Sequence, residues 1–530
     1  MSEVPQYDFI DPNQDGEHER DLTGRDRLVS NVLVNWGAHS VFIVAGFIMP
    51  RMIDRRLGQE VLGVWDFAWS LVSYFGLVQA GIGSSVNRYV AKYRAAHDIS
   101  AINRTVSSAF CLLGLAGMLV LAMTAALSLL LPRLFGARLG ENVLAAQWVV
   151  FFLGGSIGIQ MAFGVFNGVL TGCHRWELHN IAKSGWHVAT VVGMIVALVM
   201  GLGLSSLSMI SFVGIALTEA TQVLLAYKVC KGLRLRISLV GWKTIRKLFV
   251  FGGKSLIPSV SNLLLNQTTS ILIVAYLGPA VLALYARPRS IVHHINTLVN
   301  KMAFVLTPTA SSLQSTGNME GIQGLLIKSV RYSFYMVLPM VLVLTVFGDA
   351  IMQFWMGPRY ANGLIPAILA VGNLAMMAQA PSLSILRGMN AHGRAGMAQF
   401  VASVCSVALT ILVLRYLKWD IAAVAIAVTL PLTIANFLYL PILIRRRVGL
   451  HSGKYFLSVT AGPVILVLPF AICLVGARLM FQTQPLLGLV MGGAVGGAIL
   501  AVLYWRYVLP ERIRIRVIRF VGKGCRWESM

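Results

Sequence analysis

The chain has 530 residues, 57% of them hydrophobic and only 12% charged, and its 44 lysines and arginines against 20 acidic residues give a net charge of +24. Soluble domains carry about 25% charged residues, so a soluble enzyme, a nucleic-acid-binding domain, a disordered chain and a secreted disulfide scaffold are all excluded. What remains is a polytopic membrane protein, its apolar runs close to the length of helix that crosses a bilayer.

In chain order, residues 1–27 carry eight acidic groups from Glu3 to Asp26 against Arg20, Arg25 and Arg27, a net −5 that leaves +29 for the rest. This polar stretch reads as a short disordered cytoplasmic tail. No cleavable signal pattern precedes the first apolar segment, which is therefore expected to be a retained span. Apolar stretches follow near 29–50, 62–86, 106–131, 145–170, 181–203, 207–229, 248–275, 283–307, 330–355, 364–386, 396–415, 421–443, 456–476 and 486–508. Lipid offers backbone N–H and C=O groups no partner, so all are expected to be helices. The expected fold is all-α, with about 14 transmembrane helices. The six cysteines are scattered, with no CxxC pair and no histidine at metal-ligand spacing, so no metal and no cofactor are expected.

Charge alternates along the links. Basic groups fill those holding Arg88–Arg104, Arg175–Lys183, Lys228–Lys247, Lys328–Arg331, Arg387–Arg394 and Arg445–Lys454, and the chain ends in Arg506–Arg526, whereas the alternate links are nearly neutral. The positive-inside rule then places both termini in the cytoplasm. No link is long enough for an extramembrane catalytic domain, and no P-loop, hydrolase triad or HExxH motif is present, so the chain is not expected to be an enzyme.

The sequence also repeats. Arg56–Trp65 overlays Tyr276–Tyr285, Asp98 overlays Asn318, Leu134-Phe135-Gly136 overlays Trp355-Met356-Gly357, and Leu170-Thr171-Gly172 overlays Leu386-Arg387-Gly388, at offsets of 216 to 221. Order and side are kept, which predicts two parallel six-helix lobes around a central cavity and two additional C-terminal helices. The expected organisation is the acidic tail 1–27, an N-lobe over 28–230, a basic linker over 231–247, a C-lobe over 248–445, two helices over 446–508 and a basic cytoplasmic tail over 509–530. Within that tail, Arg512–Phe520 alternates basic and apolar residues, as a surface-lying segment does.

Polar groups within spans are expensive and mark cavities or partners. Arg287, His294 and Lys301 recur every seven residues and would form a cationic stripe on one helix face, suited to an anion leaving water; the alternative is snorkelling of the charges to headgroups. Lys254, Asn262 and Asn266 lie near helical spacing in the seventh span, and Asn31, Asn35 and His39 in the first, as substrate contacts or as polar glue between helices. Asp66 and Glu219 are the carboxylates at membrane depth, each either an ion-coupling group or a counter-ion to a buried cation.

The stretch Gly76-Leu77-Val78-Gln79-Ala80-Gly81-Ile82-Gly83-Ser84-Ser85-Val86-Asn87-Arg88-Tyr89-Val90-Ala91-Lys92-Tyr93, with the Leu-Gly pairs at 57–58 and 277–278, resembles the bacterial polysaccharide-export or O-antigen (Wzx-like) flippases. These share a superfamily with lipid II flippases and multidrug-and-toxin extrusion transporters. The resemblance implies translocation of an undecaprenyl-diphosphate-linked oligosaccharide across a bacterial inner membrane by alternating access, and adds Arg88 to the cavity residues. It implies as partners an anionic polyprenyl-diphosphate-linked glycan, membrane lipids, and a polymerase and chain-length regulator of the same pathway, with no nucleic acid. Lipid II flipping and multidrug or small-molecule efflux are the transport alternatives; a membrane-embedded polymerase or ligase and an assembly scaffold are those of a different class.

Overall fold

The computed structural model describes residues 28–77, 82–253, 256–511 and 514–515, which are helical almost throughout and contain no strand. The acidic arm 1–27, Lys254 and most of Arg512–Phe520 lie outside the described residues, as do residues 78–81 of the glycine-rich stretch. The first helices are α1 (Leu28–Leu57), α2 (Gln59–Val72), α3 (Ile82–Ala95), α4 (Ile99–Leu139), α5 (Val143–Phe163), α6 (Val165–Gly172), α7 (Trp176–Val199), α8 (Leu204–Val229) and α9 (Trp242–Gly253). The middle of the chain forms α10 (Leu256–Leu263), α11 (Thr269–Leu277), α12 (Pro279–Phe304), α13 (Leu306–Ser315), α14 (Met319–Met356), α15 (Leu364–Ala378) and α16 (Ala380–Gly388). Then come α17 (Gly393–Leu412), α18 (Ile421–Ile434), α19 (Leu440–Val448), α20 (Ser452–Met480) and α21 (Pro485–Tyr507). π-helical turns join α10 to α11, extend α17 and join α18 to α19.

Among the described residues, ten helical stretches are long and apolar enough to cross a membrane. The 65-residue stretch Ile99–Phe163 joins α4 and α5, more than twice the length of about 20 residues that one crossing needs. Three of the fourteen expected spans, 29–50, 62–86 and 283–307, are not among the ten. In α12 the apolar run is diluted by the polar residues that drew attention to it, and 62–86 is divided over α2, the 3-10 turn Ser73–Leu77 and α3; the side chains of residues 28–36 of α1 lie outside the described residues. The chain is an all-α polytopic membrane protein.

The helices gather into two compact units. One runs to Met52 and continues over Phe75–Leu134 and Val143–Leu256. There α3 packs on α6 and α9, and α8 on α5, α6 and α7. Glycines permit the close approaches that drive helix association in lipid: a Cβ on Gly172 would meet Val90 and the Asn87 carbonyl. The basic linker is strapped to α4, since Asn103 donates to the Gly232 carbonyl (3.1 Å) and accepts from Arg234 N (2.9 Å), and Ser107 accepts from Arg236 N (3.2 Å).

The other unit comprises Ile53–Tyr74, Phe135–Asn142 and Ile257–Met530. In it α2 packs on α12, α13 on α16, α15 on α12, α14 and α18, and α17 on α18, while α20 and α21 pair and lean on α14. A Cβ on Gly63 would overlap the Pro279 carbonyl, so the α2 and α12 backbones touch. Gln59 Nε2 donates to the Ala280 carbonyl (2.9 Å) beside that contact.

The repeat is written into the backbone. Among the described residues the left-handed positions pair off as Gly58 with Gly278, His97 with Gly317, Gly140 with Gly357, His174 with Asn390, Gly201 with Lys418 and Gly232 with Gly449. Gly58 and Gly278 are nearly superposable, at φ 94°, ψ 164° and φ 91°, ψ 168°. Asp98 accepts from Ala101 N (2.8 Å) as Asn318 does from Gly321 N (2.7 Å), so the overlaid polar residues are helix N-caps. Gly388 meets the Thr307 carbonyl and Ala310 just as Gly172 meets Asn87 and Val90.

Candidate functional site

Helix α12 begins at Gly278, whose left-handed conformation ends α11, and Pro279 at its first position carries no N–H to leave unsatisfied. Its polar residues form two stripes roughly half a turn apart. Arg287, His294 and Lys301 share one; Arg289, His293, Asn296 and Asn300, at i, i+4, i+7 and i+11, share the other.

The second stripe lines a chamber of about 300 Å³ within the second unit. The α10 segment and the π-turn Leu264–Thr268 contribute Asn262 and Asn266, α15 contributes Asn373, α16 contributes Arg387, α17 contributes Gln399, and His392 stands at the α17 N-terminus. Two arginines, two histidines and six amides thus face one space, and among the described residues no carboxylate lines it. Arg289 is held in place, its Nη1 donating to the Asn266 carbonyl (2.7 Å) and to Ser270 Oγ (3.0 Å), with its guanidinium 5.7 Å from the Tyr285 ring centre. Gln399 donates to Asn436 Oδ1 (2.7 Å), fixing its amide.

An adjoining recess of about 370 Å³ shares Asn262, Asn266, Arg289 and His293 and adds Asp66, Gln267, Arg287 and Ser290. Arg287 is buried, at 5% exposure, and its Nη2 is paired with Asp66 Oδ2 on α2. Nearby, Tyr360 donates to Asp54 Oδ1 (2.7 Å), and burial, with the carboxylate that takes its hydrogen bond, pushes the phenol up so that it stays a donor.

Of the residues singled out in the sequence, Asn262, Asn266, Arg287 and Asp66 come together here. His294 and Lys301 lie on α12 but line neither space. His39 and Arg88 belong to the first unit, and Lys254 and the Asn35 side chain lie outside the described residues. Glu219 is buried in the first unit at 2% exposure, with Asn167 and Lys183 around it and with Oε2 unpartnered among the described residues. Sequence reasoning passed over His293, Asn296, Asn300, Arg387 and His392. The first three carry a helical spacing as regular as the heptad that was noticed; Arg387 at the end of α16 and His392 at the α17 N-terminus fall in what the sequence reads as a link, where only the fold could assign them.

The sequence pattern of a family described as polysaccharide biosynthesis protein matches residues 77–364, more than half of the chain. The chain belongs to that family. It is similar, at 20% identity over 61% of its length and 77% of the relative's, to a Shigella flexneri protein named as an O-antigen transporter. It is similar at 21% identity, over 81% of its length and 86% of the relative's, to the membrane protein EpsK of Bacillus subtilis (strain 168). Among solved structures, an inward-facing multidrug resistance MATE family transporter of the MOP superfamily matches with a TM-score of 0.67 at 14% identity, covering 77% of this chain and 94% of that one. The lipid II flippase MurJ in an inward closed conformation matches at 0.66 and 12% identity, covering 91% and 100%. The fold is that of these transporters, a multi-pass arrangement of membrane-crossing helices. No group of three or more metal-ligating side chains occurs among the described residues.

Proposed function

We propose that this membrane protein flips a polyprenyl-diphosphate-linked saccharide from the cytoplasmic to the periplasmic face of the inner membrane. The observation that carries the reading is the chamber's lining of Arg289, Arg387, His293 and His392 among amides. A diphosphate loses its hydration on entering a membrane and needs charge-assisted donors in exchange. Amides and histidines also suit sugar hydroxyls, which both give and accept hydrogen bonds. Organic-cation efflux fits poorly, because Asp66, the carboxylate beside the chamber, is already paired with Arg287.

In this mechanism the chain crosses the membrane fourteen times, in two parallel six-helix lobes with two further helices, and both termini are cytoplasmic. The lobes rock about a central cavity while the head passes through. The prenyl tail runs in an apolar groove of about 700 Å³ between α17 and α18, lined by Met397, Val401, Cys405, Leu430 and Ile434, with Arg394 at one end. The same two helices present Gln399, Ser403, Val428 and Leu432 to the chamber, so head and tail lie on two sides of one wall. The O-antigen transporter relative favours an oligosaccharide unit as the glycan. Lipid II is the second reading, favoured by the likeness to MurJ over 91% of this chain.

Flipping in proteoliposomes, with a fluorescent lipid-linked O-unit and with lipid II as separate cargoes, tests both. Transport of the O-unit, abolished by Arg289→Ala with Arg387→Ala, is the expected result. Transport of lipid II alone would select the second reading, and transport indifferent to both arginines would remove the anion-binding chamber.

A further inference from the structure

The Asp66–Arg287 pair sits in an unusual place for a static ion pair. It lines the recess that opens beside the chamber, next to Arg289 and His293, and Asp66 is the one carboxylate there among the described residues. Asp66 engages Arg287 through a single oxygen and a single nitrogen, Oδ2 and Nη2. Arg287 Nε is buried without a hydrogen-bond partner among the described residues. A guanidinium can hold an oxyanion through two parallel bonds, so this one is only partly used by its present partner, and a diphosphate brings more oxygens than one carboxylate.

The pair also joins two helices. Asp66 belongs to α2 and Arg287 to α12, and they meet beyond the point where Gly63 abuts the Pro279 carbonyl. Gln59 to the Ala280 carbonyl and Tyr74 to Thr268 hold the two ends of the α2 segment. Between them the ion pair is the charged tie, and a buried cation whose counter-ion leaves must find another anion or strain the contact.

We propose that Asp66 is a built-in stand-in for the substrate's anion: it holds Arg287 while the site is empty, and an incoming diphosphate takes its place and unclasps α2 from α12. The inference rests on the anionic-head reading above and adds to it a residue that links occupancy of the site to release of a helix. It also gives Asp66 a selective role, since only a ligand able to outbid a carboxylate for Arg287 loosens α2.

The test uses the full-length protein in nanodiscs with farnesyl diphosphate as the probe, reading affinity and the hydrogen exchange of the Gln59–Val72 amides together. In the wild type, binding raises α2 exchange several-fold. Asp66→Asn shows the raised exchange without ligand and binds about ten times more tightly, because a competitor that keeps a site closed most of the time lowers apparent affinity by the open fraction. Asp66→Glu behaves as the wild type. Binding that leaves α2 exchange unchanged, or Asp66→Asn binding no more tightly than the wild type, overturns the stand-in role and leaves the anion site standing. Failure of both the wild type and Asp66→Asn to bind overturns the anion site and this proposal with it. Should Asp66→Asn prove too unstable to purify, the ligand response of the wild type decides alone.

Discussion

Arg287 and Arg289 are two residues apart on α12 and do different work. Arg287 is buried and charge-paired with Asp66, so replacing it with Met leaves a carboxylate without its cation, a loss of about 3–5 kcal/mol for a buried pair. Adding Asp66→Leu is expected to recover most of that stability, which thermal unfolding of the two variants in the same detergent would show; equal instability of the single and double variants would contradict it. Arg289 faces the chamber and also holds the Asn266 carbonyl, so its removal costs both ligand contact and local order. Arg387 makes the cleaner probe, because it is exposed to the chamber from the end of α16. A hydrogen bond to a charged group is worth about 1.5–3 kcal/mol, so Arg387→Ala should weaken prenyl diphosphate binding by about ten- to a hundredfold at unchanged melting temperature. Equal affinity for both proteins would place the anion elsewhere. The residue types at this site were legible in the sequence, but their partners were not. Asp66 and Arg287 are 221 positions apart, and no local pattern announces that one neutralises the other.

Among the elements, α12 shows why a polar transport helix is hard to read. A sequence scan notices the most regular stripe, here Arg287, His294 and Lys301, and the fold then presents the other one to the chamber. Which face is turned inward depends on where α2, α15 and α11 dock, a tertiary fact set by contacts such as Gly63 against Pro279. That contact makes its own prediction. A Cβ at Gly63 has no flexible neighbour to displace, only backbone, so Gly63→Leu should force α2 off α12 and raise hydrogen exchange across Gln59–Val72 even without ligand. Unchanged exchange would mean that the two helices already part freely. The groove between α17 and α18 can be tested similarly: Val401→Trp fills it from the lipid side, and is expected to slow flipping of a long prenyl chain while leaving farnesyl diphosphate affinity unchanged. Slowing of neither would take the tail out of the groove.

At the scale of the whole molecule, the repeat was the part of the fold most open to sequence reasoning, because its landmarks are caps and glycines whose residue types backbone geometry dictates. Gly58 and Gly278 hold a conformation that is nearly glycine-only, and Asp98 and Asn318 cap equivalent helices. Less legible was the distribution of segments over compact units, since Ile53–Tyr74 and Phe135–Asn142 cluster with the later part of the chain, which no linear boundary could express. Charge distribution leads to the last expectation. The +24 total includes both the basic links and the arginines of the chamber, and only the latter bear on the energy of transport. A diphosphate head carrying about two negative charges that moves outward, down an inside-negative potential of about 100 mV, gains about 4–5 kcal/mol, at about 2.3 kcal/mol per charge. Imposing that potential with a potassium gradient and valinomycin, in vesicles lacking any proton or sodium gradient, should therefore speed outward flipping. Reversing the potential should slow it. A rate indifferent to both signs would mean that the charge moves together with a compensating cation, and the buried Glu219, whose Oε2 has no hydrogen-bond partner among the described residues, would then be the group to neutralise next as Glu219→Gln.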